Sequence, residues 1–189
     1  MFTGVDIFKS NIKNISLADD ELVELAKREL PYITHSYECL MLRYQKLIRH
    51  VVFGVVKDRV AVDDVVQEVM IKIFNKLLGF EGRSSFKTWL MTICMNTSIS
   101  YTRKNNRHKL VDNPDEDDGQ LAIEDQFSRI DFDSFEKMIA SLDEKERHIV
   151  TLKFVAELEF QEIATALEMG LSAIKMRYYR AVEKLRDKM

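Results

Sequence analysis

Asp64 and Glu68, within "DDVVQE" (63–68), stand at i and i+4, so a helix carries both carboxylates on one face. Such a pair can hold a divalent cation for hydrolysis, or it can form a charged face for docking a partner. No third carboxylate or histidine lies at matching spacing, which favours the docking face over a metal site. His35, His50, His108 and His148 are scattered and make no nucleophile–base pattern with a serine or cysteine. Cys39 and Cys94 stand alone among apolar residues with no CxxC pair, as expected of buried free thiols in a reducing compartment. There is no glycine-rich phosphate loop. No catalytic residue, metal or cofactor is therefore expected.

The stronger chemical signal is cationic. "FQEIATALEMGLSAIKMRYYRA" (160–181) reads as two short helices around a glycine. Phe160, Ile163, Ala164 and Leu167 point inward on the first; Leu171, Ile174, Tyr178, Val182 and Leu185 do so on the second. The outward arc of the second helix holds Ala173, Met176, Arg177, Arg180 and Lys184, with Ser172 and Tyr179 on one edge and Lys175 nearer the core. A cationic row on the second helix of a hairpin suits docking in a DNA major groove, where arginine reads guanine or neutralises phosphate. The alternative is an ordinary helical hairpin with a solvated basic face.

A second candidate lies upstream. Over 86–101, Phe86, Trp89, Leu90, Ile93, Thr97 and Tyr101 cluster on one side at about 100° per residue. Thr88, Thr92 and Asn96 form a polar stripe beside Trp89, and "RKNNRHK" (103–109) follows. A polar ladder beside an aromatic and ending in bases suits a single nucleic-acid strand: bases stack and phosphates meet cations. A Trp89 buried wholly in the core is the competing reading.

The elements that must hold these groups are all helical. Two prolines and six glycines among 189 residues, with abundant Leu, Ile, Glu and Lys, favour helix throughout. Ser16 with Asp19 opens a first helix carrying Leu22, Ala26 and Leu30. A second runs from Pro31 to about Val56, a third from about Asp63 to Leu78, and Ser84 or Ser85 caps a fourth that reaches about Asn105. Asp143 with Glu146 begins the helix of Ile149 and Val150, and a second helical block starts near Asp131.

The formal charge of −3 conceals a partition. Residues 112–136 hold ten acids and one base, while 1–111 sum to +5 and 137–189 to +1. The predicted organisation is an extension at 1–15, a helical domain at 16–110, an acidic linker at 111–131 and a second helical domain at 132–189. The opening "MFTGVDIFKSNIKN" lacks a continuous apolar core, and no apolar run approaches the roughly 20 residues that span a bilayer. A cytoplasmic protein with no membrane insertion of its own is expected.

These motifs converge on one family. "AVDDVVQEVMIKIFNKLLGFEGRSSFKTWLMTICMNTSISYTRKNNR" (61–107) resembles region two of the extracytoplasmic-function sigma factors of bacterial RNA polymerase, and "SLDEKERHIVTLKFVAELEFQEIATALEMGLSAIKMRYYRAVEKLR" (141–186) resembles their region four. "ADDELVELAKRELPYITHSYECLMLRYQKLI" (18–48) is similar to the family's opening helices. The resemblance implies a cytoplasmic, all-helical initiation factor that is not an enzyme. It implies docking of Asp64, Val65, Gln67 and Glu68 on the beta-prime coiled coil of core polymerase, with Val65 where leucine is usual. It implies capture of the minus-ten non-template strand by the loop Phe80–Ser85 and by Phe86, Lys87, Trp89 and Asn96, with Arg103, Lys104 and Arg107 on backbone. It places the minus-thirty-five duplex on Ser172, Ala173, Lys175, Met176, Arg177, Arg180 and Lys184, and the beta flap on region four. An anti-sigma factor, membrane-bound or soluble, is the implied regulator, and the −9 segment 112–136 is suited to the polymerase's basic channel. A free-standing helix-turn-helix regulator and a nuclease using Asp64 and Glu68 are the competing classes.

The chain departs from the family's pattern at its hairpin. The usual turn glycine falls at Glu168, with glycine displaced to Gly170; Met176 replaces a small polar residue, and Glu159 a common serine. The promoter preference is expected to differ there.

Overall fold

The computed structural model describes residues 17–109 and 137–187, without the side chains of Arg59 and 106–109. The extension, Ser16, the acidic linker, the block start near Asp131 and the side chain of Arg107 lie outside the described residues. Every described element is helical. They are α1 (Asp19–Glu29), α2 (His35–Val56), α3 (Arg59–Lys76) with a 3₁₀ turn at Leu77–Gly79, and α4 (Phe86–Lys109). After the linker come α5 (Glu144–Val150), continued by a π-helical turn at Thr151–Val155, then α6 (Phe160–Ala166) and α7 (Leu171–Arg186).

The caps follow from local chemistry. Asp58 precedes α3 and accepts from the Val60 and Ala61 amides at 3.0 and 3.1 Å, so α3 begins four residues before the expected Asp63. Ser85 Oγ accepts from the Thr88 amide at 3.1 Å and starts α4, as expected. Asp143 and Glu146 complete a reciprocal capping box, the Glu146 amide donating to Asp143 at 2.8 Å and the Asp143 amide to Glu146 at 3.1 Å. At α1 the reading of Ser16 and Asp19 gives way to Ala18 and Glu21: the Ala18 amide donates to Glu21 at 3.1 Å, and α1 starts at Asp19.

Helices α1 to α4 pack as a bundle around α2, which touches each of the other three. Leu22, Leu40, Ile48, Ile73, Leu77, Leu90 and Met95 are fully buried there, each contributing on the order of 1.5–3 kcal/mol of apolar burial. Cys39 and Cys94 are free and buried, as expected. Burial drives the Cys94 thiol far above its ordinary value, so it behaves as an inert apolar side chain. The buried apolar cluster does not stop at this bundle. It continues through Ile139, Ile149, Leu152, Ile163 and Ile174 to Ala181, so the second helical group packs on the first. No described helix is long and apolar enough to cross a membrane.

Candidate nucleic-acid interface

The candidate strand-facing surface begins in the loop before α4. Phe80 packs against Phe86 edge-on and against Trp89 at a centroid distance of 5.0 Å. Lys27 of α1 lies over the Phe80 ring, 5.4 Å from its centre. Gly79, Phe80, Glu81, Arg83, Ser84 and Trp89 line an open cleft of about 280 Å³. Arg83 and Glu81 pair at 2.5 Å on its rim. An aromatic wall beside a cleft with a cation at its mouth offers a stacking surface to a base leaving a duplex.

The predicted residues of α4 separate into three kinds. Trp89 and Lys87 are half-buried, while Asn96, Arg103 and Lys104 are exposed. Phe86, assigned to the strand, is instead 1% exposed, wedged among Tyr44, Phe80 and Trp89. It supports Trp89 from behind, because the first turn of α4 is packed on both sides. The polar stripe is also not continuous: Thr88 is buried, Thr92 is half-buried and donates to the Thr88 carbonyl at 2.9 Å, and only Asn96 stands clear. Ser98 and Thr102 likewise turn their hydroxyls back to carbonyls one turn earlier, at 2.9 and 3.0 Å. Helix α4 is thus enclosed on most of its circumference, and no one-sided stripe describes it.

On α3, Asp64, Gln67 and Glu68 are exposed together, and Ile71 is exposed beside them. Glu68 pairs with Lys72 at 2.6 Å, and Lys72 also reaches Thr97 of α4 at 3.3 Å. Asp63 is bound by Arg49 of α2. Val65, assigned to the docking surface, is 1% exposed and belongs to the core; position i+1 from Asp64 falls about 100° round the helix. Among the described residues, no cluster of three metal-ligating side chains includes Asp64 and Glu68.

The hairpin α6–α7 places Ser172, Lys175, Met176, Tyr179, Arg180 and Lys184 on the outside, with Ala173 and Arg177 half-buried. The outward arc is therefore rotated from the expected one, and Lys175 faces solvent rather than lying near the core. The cause is Ala181, which is fully buried with Ile174. The pair stands at i and i+7 and defines the inward axis. Ala181 escaped the apolar stripe because its side chain is small, yet it is fully buried in a helix that packs on α5. Lys184 Nζ donates to both oxygens of Glu146 at 2.7 Å, and Glu146 is 3% exposed. Its ammonium is thus committed inside the hairpin domain, which separates it from the freely projecting Arg180.

Two turns carry the departures from the expected pattern. Glu168 takes φ of +52°, the left-handed conformation for which glycine is best suited. Gly170 serves as N-cap of α7 with an ordinary negative φ. Glu159 caps α6, its amide donating to Glu162 at 2.8 Å. Burial opposes ionisation of Glu162, but hydrogen bonds from Thr88 and from the Glu159 amide, with the charge of Lys87, outweigh it and hold the carboxyl below its usual range.

Comparison with known proteins fits this two-part arrangement. The family model for Sigma-70 region 2 matches residues 40–108, and that for Sigma-70, region 4 matches 132–185. The chain is 30% identical over 164 residues to the ECF RNA polymerase sigma factor SigX of Bacillus subtilis (strain 168), covering 82% of this chain and 84% of that one. It is 28% identical over 193 residues to the ECF RNA polymerase sigma-E factor of Escherichia coli (strain K12), covering 92% and 95%. In fold it is similar to the sigma factor RpoE of Bartonella quintana, solved with the anti-sigma factor NepR, at a TM-score of 0.70 and 22% identity over 80% of this chain and 94% of that one. It is also similar to CnrH, solved with the cytosolic domain of CnrY, at 0.66 and 20% identity over 89% and 95%. Two family models in the expected order, and a relative at 30% identity over most of both chains, place this chain in the extracytoplasmic-function family of RNA polymerase sigma factors.

Proposed function

We propose that this chain recruits core RNA polymerase to promoters and supplies both the surface that captures the melted minus-ten strand and the helix that reads the minus-thirty-five duplex. The observation that carries the reading is the pairing of two unlike DNA-facing elements in one chain. One is an aromatic cleft beside Trp89; the other is the projecting face of α7 with Arg180 and Lys175. Asp64, Gln67 and Glu68 form the candidate polymerase-docking face, with Ile71 supplying an apolar contact beside the charges. The beta-prime coiled coil is the partner proposed for that face, and the beta flap the partner proposed for region four. Lys87, Asn96, Arg103 and Lys104 approach the strand, and Ser172, Ala173, Lys175, Met176 and Arg177 join Arg180 on the duplex. The chain acts as an initiation factor, not as an enzyme. The solved relatives bound to NepR and to CnrY support control of this chain by an anti-sigma factor.

Reconstituted transcription tests the reading. Purified chain added to core polymerase should start transcripts at discrete genomic promoters, and silence at all promoters would remove it. Within that assay, Asp64→Lys should weaken binding to core. Asn96→Ala should impair opening of the minus-ten region with core binding intact, and equal loss of both would refute the assignment of Asn96.

A further inference from the structure

The part of α7 that projects furthest is not its most cationic. Ile174 and Ala181, both fully buried, fix the inward direction of the helix. At about 100° per residue, Ser172, Met176, Tyr179 and Glu183 fall within about 30° of the opposite direction. All four are exposed and together form a crown. Lys175 and Arg180 stand about 70° from its centre, one on each side. The crown itself carries no cation.

Its middle is apolar instead. Met176 is 60% exposed and Tyr179 62%. Among the described residues of the hairpin domain, the exposed large hydrophobics are these two and Phe154. A lone exposed apolar side chain is ordinary. Two neighbours at i and i+3 on the tip of a projecting helix make a contact surface. The Tyr179 ring is braced by Tyr178, edge-on at 5.5 Å, and by Phe160 of α6 at 6.3 Å. Met176 is unbranched, and its soft thioether adapts to the shape that it meets.

A helix laid in the major groove turns its crown to the base edges and its flanks toward the two backbones. The flanking cations suit that placement by charge, with Lys175 toward one strand and Arg180 toward the other. The crown then meets base edges that are polar except at one group, the C5-methyl of thymine. A donor or acceptor pressed on the Met176 side chain loses water and gains little in return. A methyl there loses nothing and buries apolar surface.

We propose that Met176, with Tyr179 beside it, selects thymine in the duplex read by α7 by packing on the C5-methyl group. The inference rests on the promoter-binding reading above and narrows it to one base and one atom. A small polar residue at 176 makes no such demand.

The test uses holoenzyme formed from the full chain and core polymerase, with a promoter mapped by reconstituted transcription. Footprint titrations compare that promoter with duplexes in which each minus-thirty-five thymine, on either strand, is replaced singly by deoxyuridine, which lacks only the methyl. At one position the replacement should weaken binding about fourfold, as expected for one methyl returned to water. Met176→Ser should bind the thymine and uracil duplexes equally there, and Met176→Leu should keep the difference. The position is exposed, so neither variant endangers the fold. An element insensitive to every replacement overturns the proposal and gives the apolar crown to a protein partner. A methyl dependence that persists in full in Met176→Ser, or vanishes in Met176→Leu, overturns it too. A wild-type holoenzyme that transcribes from no promoter defeats the promoter reading instead, so the two failures are distinguishable.

Discussion

Helix α4 and helix α7 are the two candidate DNA-facing helices, and they are built on opposite plans. Helix α4 is enclosed: Phe86, Thr88, Leu90, Met91, Ile93, Cys94, Met95, Thr97 and Ser98 are all buried, covering most of the helix's circumference. Helix α7 buries only Ile174 and Ala181 fully, packs Leu171, Tyr178 and Leu185 partly against the core, and leaves its other face projecting. The difference suits two forms of DNA. A major groove accepts a protruding helix and reads its side chains. A melted strand needs a rigid wall with a cleft, against which bases stack while few groups project. Rigidity in α4 comes from packing, whereas reach in α7 comes from the lack of it.

Substitutions at matched positions test this contrast. The largest effect is expected in the wall. Phe86→Ala should destabilise the first bundle by about 3–5 kcal/mol, read as a lowered denaturant midpoint, and should disturb Trp89 only through that loss. A stable Phe86→Ala chain that fails only in strand capture would return Phe86 to the DNA surface. Next comes pH. Burial, aided by the charges of Arg147 and Arg103 and opposed by nearby Glu144 and Asp143, lowers the His148 imidazole to about 4. The folded chain therefore binds this proton less readily than the unfolded chain, whose imidazole titrates near 6.5. Stability should be whole above about 6.5 and decline as pH falls toward about 4. His148→Gln should flatten that slope in denaturation curves taken between those values.

Within α7 two cations should part company. Lys184→Ala strands the buried Glu146 carboxylate, at a cost of about 1–3 kcal/mol of domain stability given that the lysine is half exposed. Arg180→Ala should leave stability unchanged and weaken duplex binding by about 1–3 kcal/mol if it reads a base, measured by footprinting at a minus-thirty-five element. Equal losses of stability in both variants would erase the distinction between committed and projecting cations. The smallest effect belongs to the hairpin turn. Glu168→Gly relieves a left-handed non-glycine residue and should raise the thermal midpoint by the equivalent of about 0.5–1 kcal/mol.

The same contrast explains what could be read before the fold was known. The hairpin was legible because α7 is amphipathic: Leu171, Ile174, Tyr178, Val182 and Leu185 recur at helical spacing. Only the fine rotation was lost, because a buried alanine looks like any alanine. Side-chain caps were legible at Ser85 and Asp143 but missed at Asp58, and the start of α1 was misplaced where the Ala18 amide donates to Glu21. Helix α4 resisted reading because enclosure removes periodicity. Its threonines and serines look like a solvated or nucleic-acid-facing row, yet Thr92, Ser98 and Thr102 satisfy themselves on the helix's own carbonyls. The clasp of Glu162 on Thr88 was invisible, since its partners lie 74 residues apart in the chain.

Glu146 also has a consequence for how the protein is made. Its carboxylate caps the start of α5, and the lysine that neutralises it arrives 38 residues later, in the last turn of α7. A chain leaving the ribosome in order can complete its first bundle while this acid still lacks its cation. The hairpin domain closes only when residue 184 has emerged. Translation that stops short of Lys184 would thus yield a chain with a finished first bundle and an unsettled hairpin domain.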